Sequence, residues 1–302
     1  MGPRHAIEFV LLGALWGGSF LFMRIASPQF GPLALVLVRC TVAAVFLVAL
    51  LALRRGAGAV RAGLLRDRGR TLLAGVINSA APFTLFGFAV LSLDAGFTSV
   101  MNATAPIFGA IVAWLWLGER LSASRIAGLA LGIAGVVALS WHKASFDAGG
   151  GGWAVLACVL ATTLYGVGAS YVKRHLRGTD PWLVATGSQI GATIALLPFG
   201  LANWPAAPPD AGAWSAAVVL GLACTGLAYV IYFRLMAQVS AAAAMSVTYL
   251  VPVFGILWGV MFLGETVNAT MLAGGVVIVL GTALATGMLQ QTRTWRRLAR
   301  RA

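Results

Sequence analysis

The chain has 302 residues, 60% of them hydrophobic and only 10% charged, with a mean hydropathy of +0.91 and a formal net charge of +13. A soluble domain carries roughly 25% charged residues, so a soluble globule is excluded, as is a disordered chain, which needs low hydrophobicity. The long apolar runs do not alternate as barrel strands do. A polytopic helical membrane protein remains. The basic residues stand between apolar runs rather than on one polar face, so the positive charge does not point to nucleic acid. Cys40, Cys158 and Cys224 all lie in apolar stretches and read as buried thiols rather than a disulfide framework.

A helix needs about 20 apolar residues to cross a hydrocarbon core of ~30 Å. On that measure, spans are expected at residues 7–26, 33–53, 71–91, 95–117 and 125–140, then 153–172, 182–202, 213–236, 241–263 and 270–289. The first is read as a span and not a signal peptide, because similar runs recur along the chain and no Ala-x-Ala site follows it. The links are short and punctuated, as at Ser27–Pro32, Gly149–Gly152 and Pro205 to Asp210.

Charge orients these ten spans. With Arg4 inside, alternate links carry Arg54, Arg55, Arg61, Arg66, Arg68 and Arg70, then Arg120 and Arg125, then Lys173, Arg174, Arg177 and Arg234. The tail adds Arg293, Arg296, Arg297, Arg300 and Arg301 to the same side, which the positive-inside rule assigns to the cytoplasm. The opposite links hold Asp94, Asp147, Asp210 and Glu265 with Lys143, and Arg24 nearby. Both termini are therefore expected in the cytoplasm.

The chain also repeats itself. Pro106-Ile107-Phe108-Gly109 recurs as Pro252-Val253-Phe254-Gly255, Leu117-Gly118-Glu119 as Leu263-Gly264-Glu265, and Ala127-Gly128 as Ala273-Gly274, all at an offset of 146 residues. Five spans per half is an odd number, so the halves face opposite ways. The expected fold is an all-α integral membrane protein of ten transmembrane helices in two inverted five-helix repeats, residues 1–146 and 147–302. Inverted repeats of this kind are how many secondary transporters obtain two mirror-related conformations, with substrate bound between the halves near the midplane.

Gly13-Ala14-Leu15-Trp16-Gly17-Gly18-Ser19-Phe20 resembles the opening Ala-Leu-x-Trp-Gly-x-x-Phe signature of the drug/metabolite transporter superfamily, specifically its EamA-type ten-helix members. Arg39 stands where that family places an arginine in its second helix. Asn102–Pro106 and Leu117-Gly118-Glu119-Arg120-Leu121 are similar to its fourth-helix pattern, which Val251-Pro252 through Gly264-Glu265 repeats. The second copy departs from it, with Tyr165-Gly166 for Trp-Gly and no evident counterpart of Arg39. The resemblance implies a carrier exporting amino acids, aromatic ones in the subgroup it looks most like, or similar small metabolites from a bacterial cytoplasmic membrane. Export of other metabolites or drugs with proton coupling is the alternative, and a channel or an intramembrane enzyme ranks below both.

Several residues could carry such transport. Pro106 and Pro252, near mid-helix and symmetry-related, can bend their helices and serve as hinges or as static kinks. Arg39 lies about two turns into the second helix, where an unpaired charge costs several kcal/mol. It either meets a substrate carboxylate or is locked to backbone carbonyls or snorkels outward toward Asp94. Trp16, Asn78, Asn102, Tyr165 and Tyr249 are the other candidate substrate-binding residues. Asn both donates and accepts, and aromatic faces stack or receive a cation. Glu119 and Glu265 read as anchors of short turns, with Ser122 and Asn268 placed to cap the next helix. The four-helix relatives of the superfamily that the chain resembles rely on a central membrane glutamate. This chain has Glu8 near one end of its first span and no carboxylate at mid-depth, so uncoupled export is expected. No P-loop, G-x-S-x-G or H-E-x-x-H occurs, so no enzymatic activity, catalytic residue, metal or cofactor is expected. The expected partners are a small-molecule substrate and the lipid bilayer, the chain acting as a monomer.

Overall fold

In hydrocarbon every backbone N–H and C=O must find a partner within the protein, and this chain meets the demand inside each segment by folding as helices. The computed structural model describes residues 3–143, 145–146, 151–238 and 246–286. Asp147, residues 149–150, residues 241–245 of the ninth expected span, 287–289 of the tenth and the arginines of the tail lie outside the described residues.

The first helix, Pro3–Arg55, is interrupted only at Gly31, whose φ of 71° and ψ of 157° break it into α1 (residues 3–30) and α2 (residues 32–55). The link expected over residues 27–32 is therefore one residue long. Gly31 alone takes up the left-handed φ, which a glycine adopts without strain. Pro32 opens α2 at a position where its missing N–H leaves no bond unmade. A short surface helix, Ala57–Arg66, precedes α3 (Arg68–Ala89). Then follow α4 (Ala95–Leu117), α5 (Ala123–Ser140), α6 (Gly152–His175), α7 (Pro181–Ala202), α8 (Ala211–Gln238), α9 (Ser246–Leu263) and the shorter α10 (Ala269–Ala285). Divided at Gly31, the described helices supply ten apolar spans.

Their packing is two-fold. α5 crosses α10, α2 crosses α7 and α4 crosses α9, each helix meeting its own counterpart. Other contacts pair off likewise, α4 on α6 with α9 on α1, and α3 on α7 with α8 on α2. The link between α4 and α5 repeats in detail between α9 and α10. Gly118 (φ 68°) and Gly264 (φ 65°) end α4 and α9 in the left-handed conformation. The next N–H reaches back to Ala113 O at 3.3 Å and to Gly259 O at 3.1 Å. Ser122 Oγ then accepts from Arg125 N at 3.4 Å, and Asn268 Oδ1 from Met271 N at 2.7 Å.

Polar contacts sort the two ends of the bundle. At one, the basic face, Lys173 pairs with Glu119, Arg55 with Asp180 and Arg234 with Glu8 (2.7 Å). At the other, Lys143 pairs with Asp94 at 3.5 Å, Gln29 bonds Asp210 at 2.8 Å, and Glu265 caps α4. Glu119 and Glu265 thus occupy opposite ends, the geometry that two inverted five-helix halves require. Close approach of α5 and α10 depends on glycine. A Cβ on Gly281 would stand 2.5 Å from Gly132 N and 2.7 Å from its Cα, so only a bare Cα fits the crossing.

Candidate functional site

Between the halves lies a cavity of about 510 Å³, of the size that holds a small metabolite. It runs from Phe83 and Phe86 in the centre to the basic face, where Glu119 and Lys173 stand at its rim. Of the residues singled out in the sequence, Trp16, Arg39, Asn78, Asn102, Tyr165 and Pro106 line it together. Tyr249 and Pro252 do not. The Tyr249 hydroxyl instead lies 3.1 Å from Thr286 Oγ1, and Thr286 contributes to the wall. Pro106 follows a break in α4. Ala103 N and Thr104 N turn back to Val100 O and Met101 O, both at 3.1 Å, and the helix resumes at Ala105 with Pro106 in its first turn. Pro252 likewise follows the 3₁₀ turn Ser246–Tyr249. Both prolines therefore stand where no helical N–H is lost, and the departure from straightness precedes them.

Two π-helical turns shape the cavity wall, Val76–Ala80 in α3 and Leu222–Leu227 in α8. Their starts are separated by the same 146 residues that relate the two halves. In each, an N–H reaches back five residues, Ala81 to Val76 O and Ala228 to Ala223 O. Such insertions widen the helix and turn side chains toward a neighbour. Here they bring Asn78 in one turn, and Cys224 and Thr225 in the other, to the cavity.

Arg39 of α2 meets the second turn. Its side chain is buried, and Nε donates to Thr225 Oγ1 at 3.0 Å while Thr225 Oγ1 donates to Leu220 O at 2.9 Å. The guanidinium carbon lies 3.5 Å from the centroid of Phe83, a cation–π contact, and Nη1 approaches Met23 Sδ at 3.7 Å. The outward snorkel toward Asp94 does not occur. Asp94 pairs with Lys143, and Arg39 faces the cavity. Among the described residues no carboxylate forms an ion pair with Arg39.

The rest of the wall is aromatic. Trp16 lies 5.4 Å from Tyr232, and Phe86 sits between Phe20 at 5.5 Å and Tyr165 at 6.0 Å, all measured between ring centroids. Phe20, Phe83, Phe86, Tyr232 and Thr225 also line the cavity without having been expected there; a ring in a span reads the same whether it faces lipid, core or cavity. The one signal that could have found Thr225 is its offset of 146 residues from Ser79, another hydroxyl inside an apolar run. The anchor reading holds for Glu265, whose Oε1 and Oε2 accept from Ala95 N at 2.6 Å and Gly96 N at 3.0 Å. It fails for the carboxylate of Glu119, which lines the cavity rim on Lys173.

A multi-pass helical bundle of two inverted halves enclosing a central polar–aromatic cavity is the architecture of a membrane transporter. The EamA-like transporter family model matches residues 5–141 and again residues 152–287, and the chain belongs to that family. It is 29% identical over 283 residues to a probable terminal-alkyne amino-acid exporter of Streptantibioticus cattleyicolor, covering 91% of each chain. It is 26% identical over 287 residues to the uncharacterized transporter YvbV of Bacillus subtilis, covering 93% of this chain and 91% of that one. A solved crystal structure, 19% identical, superposes with a TM-score of 0.66 over 96% of this chain and 98% of the other, a likeness of fold.

Proposed function

We propose that this transporter exports amino acids, aromatic ones among them, or closely related carboxylate-bearing metabolites across a bacterial cytoplasmic membrane by alternating access. The observation that carries the reading is Arg39, a buried cation on the cavity wall whose described partners are a hydroxyl, a thioether and an aromatic ring. Burying a charge is costly unless an opposite charge arrives, and a substrate carboxylate supplies one through charge-assisted hydrogen bonds. Asn78 and Asn102 offer amide oxygens to an ammonium group, and Trp16, Tyr165 and Phe86 offer ring faces to an apolar side chain. The similarity to an amino-acid exporter supports the same substrate class.

In this reading the basic face is cytoplasmic, both termini lie on that side, and the cavity is in its cytoplasm-facing form, ready to load. The halves, residues 1–146 and 147–302, then rock against each other, articulating at the breaks before Pro106 and Pro252. Transport is uncoupled, driven by the substrate gradient. Purified protein in liposomes, offered a panel of labelled amino acids, their amide derivatives and the matching decarboxylated amines, tests this. Saturable flux restricted to carboxylate-bearing compounds and indifferent to an imposed pH gradient is expected. Equal flux of amines and amino acids would overturn the substrate class, and a pH-driven flux would overturn the uncoupled mechanism.

A further inference from the structure

On the basic face, away from the transport cavity and sharing no lining residue with it, a second cleft of about 550 Å³ opens between the surface helix Ala57–Arg66 and the ends of α3, α6 and α7. Arg66, Arg70, His175 and Arg177 line it with Asp67 and Asp180. Both acids are already committed. Asp180 accepts from Trp182 N at 2.9 Å, capping α7, and pairs with Arg55 through its other oxygen. Asp67 lies 3.8 Å from Arg70 and accepts from Thr179 Oγ1 at 3.2 Å. Arg66 and Arg177 are exposed and have no ion-pair partner among the described residues. The cleft therefore presents two unmatched guanidinium forks beside a third that is only loosely paired.

We infer that this cleft binds a phosphate group, that of an anionic phospholipid headgroup. A guanidinium matches two phosphate oxygens in a planar fork, and several around one concavity favour a headgroup of net negative charge over a zwitterionic one, whose own ammonium already balances its phosphate. The placement fits lipid. The cleft sits where α3 and α7 begin and α6 ends, the level at which spans leave the hydrocarbon. Beside it, Leu53 and Leu65 are 87% and 51% exposed, offering apolar surface to acyl chains. Arg54 lies over the Trp182 ring at 5.6 Å, an aromatic–cation pair of the kind found at membrane interfaces. The surface helix lies along this rim, with Val60 buried inward and Arg61 and Arg66 turned to solvent.

Native mass spectrometry of the full-length protein, delipidated and then offered phosphatidylglycerol or phosphatidylcholine, tests the assignment. Preferential retention of phosphatidylglycerol is expected, falling roughly 10- to 30-fold in the double variant Arg66→Gln/Arg177→Gln, since each interfacial arginine adds about one decade or less of affinity. Arg61→Gln, on the same helix but outside the cleft, leaves retention unchanged. Should the Gln pair unfold the face, Arg66→Lys/Arg177→Lys keeps the charge while losing the fork, and a severalfold loss is still expected. Equal retention of the two lipids, or an equal loss in Arg61→Gln, would overturn the site. Arginine-dependent binding of soluble glycerol 1-phosphate without retention of phosphatidylglycerol would assign the cleft to free phosphate and overturn the lipid source.

Discussion

Gln189 of α7 donates its amide to Ser79 of α3 at 2.9 Å, and Ser79 stands 146 residues before Thr225, the residue that Arg39 holds. Each half thus sends one polar side chain from its second span to the same position of the other half's π-turn. Gln189 is one helical turn beyond the position equivalent to Arg39, so a fixed-offset alignment does not pair them. The shared geometry makes the difference between them chemical. One turn is held by a permanent cation and the other by a neutral amide. Arg39 gives its side of the cavity wall a positive charge, and in the proposed function a zwitterion has one preferred way to lie against that polarity.

That polarity predicts the behaviour of Arg39→Gln. A hydrogen bond to a charged group contributes about 1.5–3 kcal/mol, and Gln, shorter and uncharged, forfeits most of the contact that Arg39 would make with a carboxylate. The KM for a transported amino acid should rise about 10- to 100-fold, with a much smaller change for an amide derivative. Concentration-dependent flux in liposomes measures both.

In the proposed function Thr225 acts through Arg39, whose Nε it holds, as a positioning residue. Thr225→Val keeps the shape and removes the hydroxyl that holds Nε, so KM should rise roughly 3- to 10-fold while the maximal flux changes little. Thr225→Ser should restore it. A loss of maximal flux with KM unchanged would give Thr225 a purely structural role.

Glu265 closes the end of the bundle opposite the cavity mouth by capping α4. Glu265→Gln loses the charge and one of two acceptors, and should loosen that end. Labelling of Ser99→Cys, a buried position beside Gly255, measures this in a background lacking the native cysteines. About a tenfold faster reaction with a polar thiol reagent added from that end is expected, the worth of one charge-assisted bond.

The α5–α10 crossing gives a packing prediction. Gly281→Leu drives a side chain into the Gly132 backbone, which cannot yield. A loss of about 1–3 kcal/mol or more is expected, read as a lower melting temperature in detergent. Gly109→Ala is the control, because its Cβ would meet Gly166 Cα at an ordinary 3.8 Å.

Asp210 supplies a pH dependence outside the spans. Its carboxylate accepts from Ala213 N, which caps α8, and from Gln29, and these bonds hold its pKa below the usual carboxylate value. A depressed pKa means stability present above the unfolded-state value and lost as pH falls through the folded one. The melting-temperature gap between the native chain and Asp210→Ala should be full near neutrality and narrow as the solution is acidified through that range.

The spans were legible because a run of apolar residues has one stable form in lipid, and the repeat because Pro106/Pro252 and Glu119/Glu265 mark it at one offset. Arg39 was legible because a charge inside an apolar run is conspicuous. The π-turns were not, since no residue type encodes an extra backbone unit. Tyr249 was misplaced for a related reason, because a tyrosine's face on a helix cannot be read without the helix's neighbours. The two fates of Glu119 and Glu265 differ despite identical flanks, because an inverted repeat in one conformation presents its two ends unequally.

The single non-helical residue between α1 and α2 has a consequence for recognition. With Gly31 as the whole of the connection, Trp16 and Arg39 stand on two arms of one elbow and line the same cavity. In the proposed function this elbow sets how far apart a substrate's charged and apolar ends are held, as a calliper does. In that reading, tolerance for longer or bulkier cargo comes from the opposing wall, where the α8 turn carries Thr225.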